Sequence, residues 1–240
     1  PGDGVGIYLR NDFAFFEISR GAALMGAYPV AINWHYTPAE AEYLFNDSGI
    51  KALVIHADLL SKVRQAIPDH VLILSVPVPK SIQLAYGVSD AQCAVQPGDT
   101  DWNLWRQSFE PTPRDPEQLP STIIYTSGTT GKPKGVRRPM ATPEQMAISR
   151  RMLGISYGFD GYEERGEAIT TAVVGPIYHS APNAHASFCF REGANIVITP
   201  RFDPENLLAL IERHQSTHLK MVPIMFNRLQ KIQQSVRDAY

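Results

Sequence analysis

Residues 121–136 read STIIYTSGTTGKPKGV, and no other stretch limits so tightly what the chain can fold into. Thr122, Ile123, Ile124, Tyr125 and Thr126 are the β-branched and aromatic residues of a buried strand. The segment that follows carries Gly128, Gly131, Pro133 and Gly135, which break the interior of a strand or a helix alike. Such a run is suited to wrapping an anion. Its glycines let backbone N–H groups approach closely, Thr126, Ser127, Thr129 and Thr130 add hydroxyl donors, and Lys132 and Lys134 add charge. A strand ending in a glycine-rich loop is where α/β proteins hold phosphates. The phosphate-binding set expected from the residues is therefore Thr126, Ser127, Gly128, Thr129, Thr130, Gly131, Lys132, Lys134 and Gly135.

Two other phosphate loops are excluded. A Walker loop needs Gly-Lys followed by Ser or Thr, and here Gly131-Lys132 is followed by Pro133, with Thr126 where the leading glycine belongs. The dinucleotide pattern Gly-x-Gly-x-x-Gly is absent. A plain surface turn has no need of four hydroxyls, two lysines and a leading strand. With few apolar contacts of its own, the 126–135 loop is expected to be loosely held until a nucleotide fills it.

The rest of the chain supplies the frame. Residues 5–9 and 28–32 read as strands, with a helix between them carrying Phe15, Ile18, Ala22 and Met25 at helical spacing. Thr37-Pro38-Ala39-Glu40 is a capping box with proline at the first helical position, and Gly49 stops that helix. Strands follow at 51–55 and 71–76 around a helix at 58–66. This β–α alternation implies a mostly parallel sheet covered on both faces. Residues 77–120 hold seven prolines and read as a connector, packed down by a short helix with Trp102 and Trp105. The expected organisation is a first β/α unit at 1–76, the connector, and a second β/α unit at 121–240 that carries the loop. In that second unit helices are expected at 143–153, from Asp203-Pro204 and from Pro223, with strands at 168–174, 195–199 and 218–222.

Composition narrows the function classes. A net charge of −2 gives no basic footprint for nucleic acid or an anionic membrane. The longest apolar stretch, 22–32, is interrupted by Pro29 and falls short of the roughly 20 residues of a membrane span. Cys93 and Cys189 form no metal or redox spacing, so a reduced cytoplasm is the expected compartment. Neither the spacing of His179 and His185 nor a nearby carboxylate pair suggests a metal site. The opening PGDGVGIYL runs directly into a strand and reads as a fragment boundary.

Tyr125 to Gly135, YTSGTTGKPKG, resembles the phosphate-loop signature of the adenylate-forming superfamily, which includes acyl-CoA synthetases, peptide-synthetase adenylation domains and beetle luciferases. Pro-Gly-Asp at 1–3, Gly26-Ala27, TPAE at 37–40, NDSG at 46–49 and THLKMVPIMFNRL near the end are similar to scaffold segments of that superfamily. Gly175 to Asn183, GPIYHSAPN, resembles the segment facing the acid pocket, which implies that role for Tyr178 and His179. One departure is Arg137-Arg138-Pro139, where many relatives carry an apolar pair and Thr-His; these arginines are either extra charge beside the phosphates or a solvated turn.

The resemblance implies part of the large N-terminal domain of an acyl-CoA synthetase: two mostly parallel sheet units with helices on both faces. It implies an ATP-dependent ligase with CoA as co-substrate and a small carboxylic acid as its partner. The loop would grip the β- and γ-phosphates, with Lys132 and Lys134 neutralising the leaving group. Magnesium is expected, with its ligand outside these residues. No catalytic residue is assigned, and the 240 residues alone are expected to form no acyl-adenylate. Two alternatives stay open: an adenylation domain loading a carrier-protein thiol, and a phosphate-binding module without activity.

Overall fold

The computed structural model describes residues 1–113, 118–126 and 132–240, and the chain divides into two compact units, Pro1–Thr142 and Pro143–Tyr240. In the first unit the elements are β1 (Gly4–Tyr8), α1 (Phe13–Leu24), β2 (Tyr28–Ala31), α2 (Pro38–Ser48), β3 (Ile50–His56), α3 (Ala57–Val63), β4 (Leu72–Val76), α4 (Lys80–Tyr86), α5 (Asp90–Cys93), α6 (Trp102–Gln107), β5 (Ile123–Thr126) and β6 (Lys134–Gly135). One sheet runs in the order β4-β3-β1-β2-β5-β6, with β6 antiparallel to β5 and every other pair parallel.

Local signals set several of these boundaries. The Thr37 hydroxyl accepts from the Glu40 N–H while the Glu40 carboxylate accepts from the Thr37 N–H, which completes the capping box of α2. At the other end Gly49 adopts φ 61°, the left-handed conformation a glycine enters without strain. Tyr8, Leu44, Phe45, Leu53, Ile55 and Leu59 then form the centre of the core. Phe15, Ile18 and Ala22 of α1 are buried as their spacing predicts, but Met25, expected in that stripe, lies past the helix end and is 52% exposed.

Two expectations need correction. The strand carrying the loop does not open the second unit: Val30 and Ala31 of β2 pair with Ile123 and Ile124, so β5 extends the first sheet and the division falls at Thr142 rather than 120. An unpaired parallel edge on β2 was the available partner, and nothing in the local sequence identifies it. The connector is also more structured than its prolines suggest. Val78, Ile82 and Cys93 form a satellite core under α4 and α5, while Trp102 stacks on Trp105 at 5.8 Å and its indole N–H donates to Glu17 at 3.3 Å.

The second unit contains α7 (Pro143–Tyr157), α8 (Asp160–Glu164), β7 (Thr170–Val173), α9 (Ser180–Arg191), β8 (Asn195–Ile198), α10 (Pro204–His214), β9 (His218–Leu219), α11 (Pro223–Gln230) and α12 (Gln234–Arg237). Its three strands are parallel in the order β8-β7-β9. Asp203 caps α10 through the Asn206 N–H at 2.8 Å, as its position before a proline predicts. Helix α9 is unforeseen in the sequence because of Pro182. That proline sits in the first turn, where its missing N–H costs the helix no hydrogen bond. Alternate residues of β7 serve two clusters: Ala172 packs with Leu207 and Met225, while Thr171 meets His185 of α9.

Candidate functional site

Strand β5 leaves the sheet at its carboxyl end, and β6 returns antiparallel to it. Tyr125 pairs with Gly135 and Thr126 with Lys134. Residues directly opposite on an antiparallel pair project to the same face. Thr126 and Lys134 are accordingly both exposed on one side, while Tyr125 and Gly135 share the other. A Cβ on Gly135 would lie 2.6 Å from the Tyr125 ring, which explains why glycine closes the loop. Ser127, Gly128, Thr129, Thr130 and Gly131, and with them the expected looseness of the loop, lie outside the described residues.

The flanks of the loop rest on α2. The Tyr125 hydroxyl donates to Asp47 at 2.7 Å. Burial first, and the Asp47 carboxylate second, push the Tyr125 pKa up, so the hydroxyl keeps its proton and remains a donor. The Lys132 ammonium lies 5.0 Å from the centroid of the Tyr43 ring. Among the described residues neither Lys132 nor Lys134 forms an ion pair. Arg137 engages residues near the start of the first unit. Its guanidinium covers the Tyr28 ring at 4.2 Å and donates to the Gly2 carbonyl, while the Arg138 carbonyl accepts from the Tyr28 hydroxyl.

Another place in this sheet is built like a ligand crevice. The connection from β1 runs towards β2 and that from β3 towards β4, so the strand order reverses between neighbours β1 and β3. At their carboxyl ends Arg10 makes a bidentate pair with Asp58 at 2.8 and 2.7 Å. Trp34 and Tyr86 lie against its guanidinium at 4.9 and 4.6 Å. The Arg10 N–H donates to His56 Nδ1, which leaves Nε2–H to donate to Asp12 at 2.9 Å. All four polar residues are buried, so the crevice is filled by the protein's own side chains.

In the second unit the 176–179 turn leads into α9. His179 N–H donates to the Pro176 carbonyl, and the buried Asn183 amide donates to the Ile177 carbonyl at 3.0 Å. Tyr178 is buried, with its ring 4.5 Å from that of His179. His179 itself reaches solvent, and the desolvation it does feel lowers its pKa below the ordinary imidazole value. His185 is the deeply buried histidine. Its Nε2 lies 3.0 Å from Thr171 Oγ1 and 3.5 Å from Cys189 Sγ, and burial pushes its pKa down to about 4. The same burial pushes the Cys189 thiol up to about 12, which removes it as a nucleophile. A cavity of about 650 Å³ in this unit is lined by Ile211, Thr217, Leu229, Arg237 and Tyr240 among others, and by neither Tyr178 nor His179.

The structure thus brings Thr126, Lys132, Lys134 and Gly135 together in the first unit, and Tyr178 and His179 together in the second. Among the described residues no group of three or more His, Cys, Asp or Glu side chains is placed to hold a metal ion. No helix among them is long and apolar enough to cross a membrane. Sequence reasoning missed Tyr43 and Asp47; Asp47 lies in the NDSG segment that read as scaffold and Tyr43 in the helix before it, and only their contacts with Tyr125, Lys132 and Pro133 reveal them.

The model of the AMP-binding enzyme family matches residues 1–240. The chain belongs to that family. It is 28% identical over 243 residues to 4-coumarate–CoA ligase 2 of Oryza sativa subsp. japonica, spanning 96% of itself and 40% of that protein. It is 29% identical to a fatty acid–acyl-carrier-protein ligase, ScoC, of Streptomyces coeruleorubidus, spanning 95% of itself and 40% of the relative. Against the solved structure of a long-chain-fatty-acid–CoA ligase from Archaeoglobus fulgidus the TM-score is 0.69 at 25% identity, over 95% of this chain and 41% of that one. The chain therefore spans less than half the length of these relatives. Likeness to an o-succinylbenzoate CoA synthetase from Bacillus subtilis, solved with ATP and magnesium, has a TM-score of 0.68 at 19% identity and bears on the fold.

Proposed function

We propose that these residues belong to an acid–thiol ligase that activates an apolar carboxylic acid with ATP and passes the acyl group to CoA. The observation that carries the reading is the antiparallel β5–β6 pair, with Thr126 and Lys134 exposed on one face, in a chain whose full length matches the family. In the first half-reaction a carboxylate oxygen attacks the α-phosphorus of ATP; the bond to the β-phosphate oxygen breaks and pyrophosphate leaves. In the second, the CoA sulfur forms a bond to the acyl carbon and AMP departs. The first step moves negative charge onto the departing phosphates. The role assigned to Thr126, Lys132 and Lys134 is to hold those oxygens and offset that charge. No magnesium ligand is proposed from the described residues.

Tyr178 and His179 are proposed to contact the acid. An apolar acid is favoured because the relatives are named for 4-coumarate and for medium- and long-chain fatty acids. The acyl-carrier-protein ligase among the relatives supports a second reading, in which the acceptor is a carrier-protein thiol. ATP–pyrophosphate exchange by the complete polypeptide, with a panel of fatty and aromatic acids, tests the first half. Thioester formation with CoA against a carrier protein separates the two acceptors. Failure of every acid to support exchange would sink the ligase reading.

A further inference from the structure

The β5–β6 ladder has two residue pairs, which is too short to fix a loop by itself. Both of its flanks converge instead on two residues one turn apart on α2. On the incoming side the Tyr125 hydroxyl donates to Asp47. On the outgoing side Tyr43 carries the Lys132 ammonium on its ring, and its hydroxyl lies 3.3 Å from the Pro133 carbonyl. That hydroxyl also lies 3.4 Å from Asp47, and its single proton serves one acceptor at a time. Helix α2 does not need these side chains for itself. Ala41, Leu44 and Phe45 make its core face, Thr37 and Gly49 cap it, Tyr43 is half-buried and Asp47 is exposed.

We propose that Tyr43 and Asp47 are positioning residues for the triphosphate, acting through Tyr125, Lys132 and Pro133: Asp47 sets the incoming strand, and Tyr43 aims Lys132 and holds the chain at Pro133. This rests on reading the 126–135 loop as the ATP site. The consequence is selective. Loss of the clamp weakens capture of ATP and leaves handling of the acid alone, because neither residue belongs to the segment assigned to the acid.

The test is exchange kinetics of the complete polypeptide carrying Tyr43→Leu, Tyr43→Phe, Asp47→Ala, Lys132→Ala and Lys134→Ala. Tyr43→Leu removes a cation–π contact and a hydrogen bond, and should raise KM for ATP about 5- to 10-fold. KM for the acid should stay within about 2-fold, and Tyr43→Phe, which keeps the ring under Lys132, should recover most of the loss. In the Lys132→Ala background Tyr43→Leu should add only the smaller hydrogen-bond share, about 2-fold. Equal changes in both KM values, full additivity with Lys132→Ala, or no effect of Tyr43→Leu would overturn the proposal. If Lys134→Ala also leaves ATP use unchanged, the loop reading itself has failed. If Lys134→Ala is impaired while Tyr43→Leu is silent, only the clamp is wrong. An unchanged thermal midpoint for Tyr43→Leu confirms that the fold is intact.

Discussion

In the first unit β1, β2 and β3 bury nearly all their residues, and one continuous cluster runs from Tyr8 through Phe45 to Ile123. In the second, β8 exposes Asn195 and half-exposes the rest, α10 buries only Leu207, and α11 only Met225. Helix α7 turns Ile148, Met152 and Ile155 outward at 57%, 64% and 58% exposure, an apolar stripe at helical spacing. The two units share one strand–helix grammar but differ in how much apolar surface they remove from water, the dominant favourable term in folding. The second has smaller clusters, one around Ala172, Val174, Leu207 and Met225 and one around Phe159, Phe188 and Cys189 beside the buried His185.

The largest expected effect breaks the first unit. Arg10→Ala would leave the buried Asp58 carboxylate without its bidentate partner and should cost about 3–5 kcal/mol. All three tryptophans lie in the first unit, so their emission during denaturant unfolding reads this loss directly. A midpoint that does not move would show that the pair is not part of the unit's stability.

The second unit should yield first to acid. Burial depresses the His185 pKa to about 4 from its ordinary 6.5, with Lys220 and His218 contributing in the same direction. The unfolded chain takes up the proton below about pH 6.5, and the folded one only near 4. The contribution is thus fully present above 6.5 and is lost as pH falls to 4, by roughly 3 kcal/mol in all. Far-UV circular dichroism should show a pH-dependent transition that leaves tryptophan emission unchanged. His185→Gln should flatten that dependence, and a slope that persists would assign it to other groups.

Smaller effects concern the loop. Gly135→Ala would set a Cβ 2.6 Å from the Tyr125 ring and 3.0 Å from Ile123, and should cost about 1–3 kcal/mol as the ring is displaced from Asp47. Stability and ATP affinity should fall together, and loss of either one alone would count against the close approach. Lys134→Ala should do the opposite. Its exposed side chain makes stability change by no more than about 0.5 kcal/mol, while pyrophosphate exchange should fall about 10-fold or more.

Much of this is legible in the sequence. The capping box at Thr37–Glu40, the left-handed Gly49, the Asp203 cap and the strand leading into a glycine-rich loop all depend on neighbours within a few residues. Such signals act through backbone conformations and hydrogen bonds that each segment makes with itself. Tertiary structure decided matters of partnership. β5 joined the first sheet because β2 offered an unpaired edge, and Arg137 went to the Tyr28 ring. Arg10 found Asp58 48 residues away, Asp47 met Tyr125 78 residues downstream, and Tyr43 met Pro133 90 residues downstream. His185 became the buried histidine of the second unit, while His179, in the Gly175–Asn183 motif, stayed in water. The physical reason is that these contacts depend on which faces and edges remain uncovered once the sheets have formed, and no local pattern in the chain encodes that.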